Sequence, residues 1–217
     1  DYFRTAVEVD DGYILGGYIS EIGKAYIVKV NKNTGEPLWQ KLYGTSTGPL
    51  EIYEMKLLPD GNIAIVGVYN NSMIWFSKIN KNGEVLLSKY FSSNGNNIGV
   101  TLDIDGSNFI IGARTTGVNG TQDILLLKID NQGNIISNKV LSASAIEDIR
   151  KILNIDDGYL IVGHTNSYPA LSHDYLLTKV AKNFDNFSII FQKIYGGSGA
   201  DYARGAIIGS DGGILLS

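Results

Sequence analysis

Short apolar runs of four to eight residues, broken by Gly-, Asn- and Asp-rich turns, fill the chain from end to end. Asp10-Asp11-Gly12-Tyr13-Ile14-Leu15-Gly16-Gly17 is answered by Asp60-Gly61-Asn62-Ile63-Ala64-Ile65-Val66-Gly67 and by Asp105-Gly106-Ser107-Asn108-Phe109-Ile110-Ile111-Gly112. The series continues at Asp156-Asp157-Gly158-Tyr159-Leu160-Ile161-Val162-Gly163 and ends at Asp211-Gly212-Gly213-Ile214-Leu215-Leu216-Ser217, a period of about 45 to 54 residues. A second anchor keeps the same phase: Lys29-Val30-Asn31, Lys78-Ile79-Asn80, Lys128-Ile129-Asp130 and Lys179-Val180-Ala181. A third is the Lys that closes the apolar segment after the next turn, at Lys41, Lys89, Lys139 and Lys193.

Within the first repeat the pattern predicts four strands, at 4–9, 13–19, 25–30 and 37–43. Asp-Gly and Asn-Gly turns between apolar segments are strong hairpin signals, because such turns use positive φ. The second strand of each unit is almost continuously apolar (Ile63-Ala64-Ile65-Val66; Leu160-Ile161-Val162), as in a strand covered on both faces. No segment of ten or more residues sustains a capped helical period. The expected fold is all-β: a β-propeller of four-stranded antiparallel blades, with four complete repeats (about 1–46, 47–92, 93–142 and 143–196) and a partial fifth at 197–217. The ends suggest the same single propeller segment as part of a larger ring. Asp1-Tyr2-Phe3-Arg4 aligns with Asp201-Tyr202-Ala203-Arg204, so a first strand and half of a second cannot be completed by the other terminus. The expectation is a piece of a longer protein with six to eight blades; the alternative is a truncation forming an open arc.

These residues resemble a known group. Phe191-Gln192-Lys193-Ile194-Tyr195-Gly196-Gly197-Ser198-Gly199-Ala200-Asp201-Tyr202-Ala203-Arg204, running on to Asp211-Gly212-Gly213-Ile214, resembles the W-x-K-x-Y-G-G-S-x-x-D-x-A … D-G-G-Y-I-x-x-G repeat of β-propellers in bacterial and archaeal cell-surface and secreted proteins. Trp39-Gln40-Lys41-Leu42-Tyr43-Gly44 carries the same pattern, and Asp123 to Asp130 and Asp174 to Lys179 resemble the third strand of that family. Repeats two and three depart from it, with Phe91-Ser92 and Leu141-Ser142 where Tyr43-Gly44 stands in the first. The resemblance covers the whole chain and implies an extracellular or cell-surface location, but it specifies fold better than function. Separately, Val30 to Trp39 is similar to the D-x-x-T-G-x-x-x-W piece of quinoprotein-like propeller blades, whose Trp docks neighbouring blades and marks no cofactor.

Composition narrows the function. Of 217 residues 18% are charged and the net charge is -4, so there is no phosphate-tracking basic surface and no nucleic-acid partner is expected. No apolar run approaches a membrane span in this segment. Without cysteine there are no disulfides, thiolate metal sites or thiol nucleophiles, although a secreted protein of this size can build its core without bridges. There is no G-x-S-x-G elbow and no Walker or dinucleotide fingerprint, and no cofactor is expected.

In this strand order, connections between second and third strands, and from each fourth strand to the next first, share one face; the short hairpin turns share the other. The first face varies (Tyr69 to Ser72, Arg114 to Gln122, His164 to His173), and variable loops on a rigid scaffold are where binding resides. The ligand-binding candidates are Arg4, Arg114, Arg150, His164, Tyr168, His173, Asp174 and Arg204. His164 and His173 are the only histidines; with Asp174 they could form a three-ligand zinc set, against the reading of two solvated loop residues, and no metal is assigned. Arg4, Arg150 and Arg204 share one repeat position, filled by Glu54 and Gly99 in the other two repeats. Three residues earlier stand Asp1, Glu51, Asn96, Glu147 and Asp201. That arrangement reads either as an anion-binding mouth on the channel or as charge pairing within the scaffold. Asp103-Ile104-Asp105-Gly106-Ser107 reads as a hairpin turn before it reads as a calcium loop. The sequons at Asn70, Asn119 and Asn186 fall in predicted loops. The leading expectation is a non-catalytic propeller scaffold of a surface or secreted protein, binding a protein or carbohydrate partner through the variable loop face. The alternative is a propeller enzyme, quinoprotein-like or a hydrolase or lyase, with its site at the channel mouth. An enzyme site should break the repeat with odd polar residues on inner strands.

Overall fold

A computed structural model describes residues 1–92, 95–116, 120–167 and 172–217. Every regular element among them is a strand. Two compact units divide the chain, Asp1–Leu102 and Asp103–Ser217.

The first unit holds two four-stranded antiparallel sheets. One runs β1 (Tyr2–Val9), β2 (Gly12–Ile19), β3 (Lys24–Asn31), β4 (Pro37–Tyr43); the other runs β5 (Leu50–Leu57), β6 (Ile63–Tyr69), β7 (Met73–Ile79), β8 (Val85–Phe91). Strands follow in sequence order, because two-hairpin repeats with short turns leave each strand beside its predecessor. Every described side chain of β6 except Tyr69 is buried, as its unbroken apolar run predicts, whereas β8 alternates half-buried and exposed residues at the sheet margin. Ile14, Ile27, Ile52, Met55, Ile63, Ile65, Trp75 and Ile79 form the core, with Trp39 and Tyr43 against it. Each fully buried aliphatic side chain contributes roughly 1.5–3 kcal/mol. The Tyr43 hydroxyl donates to the Gly83 carbonyl (2.8 Å), so the C-terminal end of β4 is tied to the β7–β8 turn. Trp39 lies against the same glycine, which is the packing role its resemblance implied.

In the second unit the strands are β9 (Asn97–Asp105, which crosses the unit boundary), β10 (Asn108–Thr116), β11 (Gln122–Ile129) and β12 (Ile135–Leu141). They are followed by β13 (Glu147–Ile155), β14 (Gly158–Thr165), β15 (Asp174–Val180) and β16 (Ile189–Tyr195). Two further four-stranded sheets result, and β17 (Ala206–Ile208) pairs with β18 (Ile214–Leu216) as a two-stranded sheet. β14 is buried along its whole length. The architecture is a β-propeller of four complete blades and part of a fifth.

The sequence anchors have structural causes. Lys29 pairs with Asp11 (2.7 Å), Lys128 with Asp105 (2.7 Å) and Lys179 with Asp157 (2.6 Å), so the second anchor's Lys clamps the first anchor's Asp across the hairpin. Asn31, Asn80 and Asp130 accept backbone N–H groups two to four residues on, closing the third-to-fourth-strand turn. Ala181 cannot do this, and Asn183 caps that turn instead. One expectation about turns needs correction. Gly61 and Gly106 do adopt positive φ (79° and 64°), but Gly12 does not; a Cβ there would overlap the Val30 carbonyl. The Asp-Asp-Gly turns therefore need glycine for close approach between strands rather than for left-handed backbone. Asp103 and Asp105 are likewise committed to the fold: Asp103 accepts from Ile104 and Asn154 backbone N–H groups, and Asp105 pairs with Lys128 and accepts from the Tyr159 hydroxyl.

Candidate functional site

The site grows from a defect built into the first strand of the blade. Pairing between first and second strands skips one residue at Phe3/Thr5, at Ile52/Glu54 and at Ile149/Lys151. Each skip is a β-bulge, which leaves one residue unpaired and re-aims it. The residues that the register skips are Arg4, Tyr53 and Arg150. This corrects the sequence alignment: Tyr53, and not Glu54, stands where Arg4 and Arg150 stand, and Glu51 is equivalent to Tyr2 and Asp148 rather than to Asp1 and Glu147. The glycine that ends each second-strand motif makes the bulge possible. A Cβ at Gly17, Gly67 or Gly163 would overlap the carbonyl of Tyr2, Glu51 or Asp148 respectively.

The same register aligns Tyr18, Val68, Arg114 and His164 near the end of the second strand. Two charged or titratable side chains thus replace an aromatic and an aliphatic one in the second unit. They converge on Asp148. Arg114 Nε donates to Asp148 Oδ1 (2.5 Å), while Arg150 Nη2 (2.9 Å) and His164 Nε2 (3.3 Å) share Oδ2. His164 is also ringed by aromatic groups: its centroid lies 4.9 Å from Tyr202 and 5.5 Å from His173, edge to face, and His173 stacks on Tyr202 at 5.1 Å. The Tyr202 hydroxyl is 3.3 Å from His173 Nδ1, and the Asp201 N–H donates to the His173 carbonyl (2.5 Å).

Asp148 and His164 are each 4% exposed, whereas Tyr202 is 40% exposed, so the cluster runs from a buried ion pair to an aromatic rim. Burial, the largest influence, pushes the His164 imidazole down to about 4. Asp148 opposes this, while Arg150, His173 and Arg114 reinforce it. His164 is therefore neutral near pH 7. In the tautomer with its proton on Nε2, which faces Asp148 at 3.3 Å, the His164 Nδ1 is an acceptor, and no described group donates to it. Arg114 Nη2 is also buried without a partner among the described residues.

Of the sequence candidates, Arg114, Arg150, His164 and His173 come together in this cluster. Asp174, just beyond His173, is buried beside Gly196 and contributes no bond to the cluster. Arg4 belongs to a separate group in the first unit, where it donates to Glu51 (2.7 Å) and to the Tyr2 hydroxyl (2.9 Å) and lies 4.0 Å over the Tyr53 ring; Tyr2 also bonds Glu51. Arg204 is exposed, with its backbone N–H bonded to the Ser217 carbonyl. Tyr168, and the sequon at Asn119, lie outside the described residues. Among the described residues no group of three or more His, Asp or Glu side chains is disposed to hold a metal ion, and the zinc set of His164, His173 and Asp174 does not form. Asp148 and Tyr202 are the residues that sequence reasoning missed.

A cleft of about 840 Å³ on the turn end of the first unit is lined by Asp10, Asp11, Lys29, Asp60, Asn80 and Lys81. Its one strongly buried charge, Lys29, is already paired with Asp11.

No protein-family model and no curated protein matches the chain. Solved structures do. A hydrazine synthase of Kuenenia stuttgartiensis is similar at a TM-score of 0.72 and 11% identity, over 99% of this chain and 61% of that one. The Dos1 propeller is similar at a TM-score of 0.57 and 10% identity, over 100% and 64%. NanB in complex with Optactamide is similar at 0.56 and 12%, over 88% and 32%. The chain thus spans about three fifths of the length of the first two. At such identities the likeness concerns fold alone: the chain adopts the β-propeller architecture, which non-enzymatic and enzymatic proteins share.

Proposed function

We propose that this chain is the binding part of a surface or secreted propeller protein, capturing a protein or glycan through the strand end that carries the Asp148 cluster. One observation carries the reading. At strand-end positions where the first unit has Tyr18 and Val68, the second unit has His164 and Arg114, gathered with Arg150 on one carboxylate, whereas the equivalent Arg4 of the first unit meets Glu51 without them. Within this cluster a guanidinium nitrogen of Arg114 and an imidazole nitrogen of His164 are both buried without partners among the described residues, which supports a site that a ligand completes. Residues with a partly exposed rim and an unsatisfied interior are what a ligand completes. The surface or secreted setting is supported by the resemblance of Phe191 to Ile214 to the repeats of such proteins.

The test is retention of oligosaccharides and proteins by the immobilised chain, compared with Tyr202→Ala at the rim and Lys81→Ala at the turn end. Loss with Tyr202→Ala alone supports the reading; loss with Lys81→Ala alone, or with neither, contradicts it. A second reading, an enzyme, is favoured by the same break in the repeat, since odd polar residues on inner strands are what an active site introduces. Chemical change in a retained saccharide, followed by NMR, would select that reading.

A further inference from the structure

The structure assigns the Arg114–Asp148–His164 cluster as a recognition site for a carboxylate-bearing saccharide, a uronic-acid unit. This rests on the proposal that this strand end is the binding face, and deepens it to a ligand class.

Three features combine. First, the guanidinium fork of Arg114 is half used. An arginine facing a carboxylate ordinarily donates through two nitrogens to two oxygens. Here Asp148 meets Arg114 through Nε and Oδ1 only, because Oδ2 is taken by Arg150 and His164. The second tooth, Nη2, is buried and unpartnered among the described residues, and a buried N–H without an acceptor is costly. A second carboxylate, brought by the ligand, supplies that acceptor. A dianionic phosphate fits less well, since Asp148 already places one negative charge beside the position. Second, His164 Nδ1 is a buried acceptor with no donor among the described residues. A carboxylate cannot satisfy it; a hydroxyl can. Third, the stacked rings of His173 and Tyr202 border the cluster, and the exposed part of Tyr202 offers an apolar face to the C–H side of a pyranose. A neutral sugar lacks the first group, and an acidic protein side chain lacks the second. A uronic acid carries all three on one ring.

The experiment titrates the whole chain with methyl glucuronide, methyl glucoside and tri-glutamate by calorimetry, then repeats the series with Arg114→Lys and Tyr202→Ala. Glucuronide should bind about tenfold to a hundredfold more tightly than glucoside, as expected for hydrogen bonds to a charged group. Arg114→Lys keeps a cation for Asp148 but removes the fork, and should erase that preference without shifting the melting temperature appreciably. If Arg114→Lys unfolds the chain, Tyr202→Ala decides, since it is partly exposed and should weaken both sugars. Equal affinity for the two sugars, or preference for tri-glutamate, overturns the saccharide assignment but leaves the binding face standing. Capture of a protein at this face with no affinity for either sugar does the same. Glucuronide binding that neither variant alters overturns both.

Discussion

Acidification should weaken the second unit through His164. The ring is 4% exposed, and the loss of hydration on burial dominates its titration, moving it from 6.5 to about 4 despite the opposing pull of Asp148. Between those values the folded ring is neutral and the unfolded ring is protonated. Unfolding then takes up a proton, so stability is lost as pH falls from 6.5 towards 4 and levels off below, where both states carry the proton. One pKa unit corresponds to about 1.4 kcal/mol, which sets a ceiling of about 3 kcal/mol. Solvent reaching the cluster through Arg150 and His173 screens its charges and reduces the expected loss to about 1–2 kcal/mol. The assay is urea unfolding followed by far-ultraviolet circular dichroism at steps between about pH 7.5 and 4.5, on the wild type and on His164→Gln. Glutamine can still donate to Asp148 but does not titrate, so the difference between the two proteins isolates the ring. That difference should shrink by about 1–2 kcal/mol as the pH falls. A flat difference would show that His164 is hydrated or already charged, and would refute the description of the cluster as a buried site with a free acceptor.

Other perturbations separate scaffold from site. Gly163→Ala should cost about 2–4 kcal/mol by chemical denaturation, because its Cβ would overlap the Asp148 carbonyl in the bulged pairing, where neither backbone can give way. Tyr159→Phe should cost about 1–2 kcal/mol, since the fully buried ring keeps its packing but Asp105 loses a 2.7 Å hydrogen bond; the urea midpoint should fall with no change in slope. Lys179→Ala should cost less than about 1 kcal/mol although its ion pair recurs in other blades, because Asp157 is largely solvated. A larger loss would mean that the clamp stabilises the hairpin through more than charge.

The repeat made the scaffold legible from residues alone. Unbroken apolar runs such as Ile63 to Val66 announce a strand covered on both faces, and the phase shared by Asp11 and Lys29 reflects a contact between them. The site was legible only in part. Arg114, Arg150, His164 and His173 were singled out as charged or titratable groups near variable loops, but Asp148 was hidden by an alignment one residue out of step. The cause is physical: the turn between first and second strands is one residue longer in the second blade, where Glu54 faces Val66, than in the first and fourth, where Thr5 faces Gly16 and Lys151 faces Val162, so counting back from the shared glycine misplaces Glu51 and Glu54. Counting from the bulged residues themselves, Arg4, Tyr53 and Arg150, restores Asp148 to the position of Glu51. Tyr202 was missed for another reason. Within Asp201-Tyr202-Ala203-Arg204 it reads as part of the repeat, and its role comes from three-dimensional contact with two histidines about 30 and 40 residues earlier.

The central claim is that the polar break in the repeat is a binding face and not a strut. It is tested most directly by backbone amide NMR of the isotope-labelled chain during titration with methyl glucuronide. The account predicts saturable shifts at Arg114, Asp148 to Arg150, His164, His173 and Tyr202, with Asp11, Asp60 and Asn82 at the turn end unmoved. Shifts centred on that turn end would contradict it.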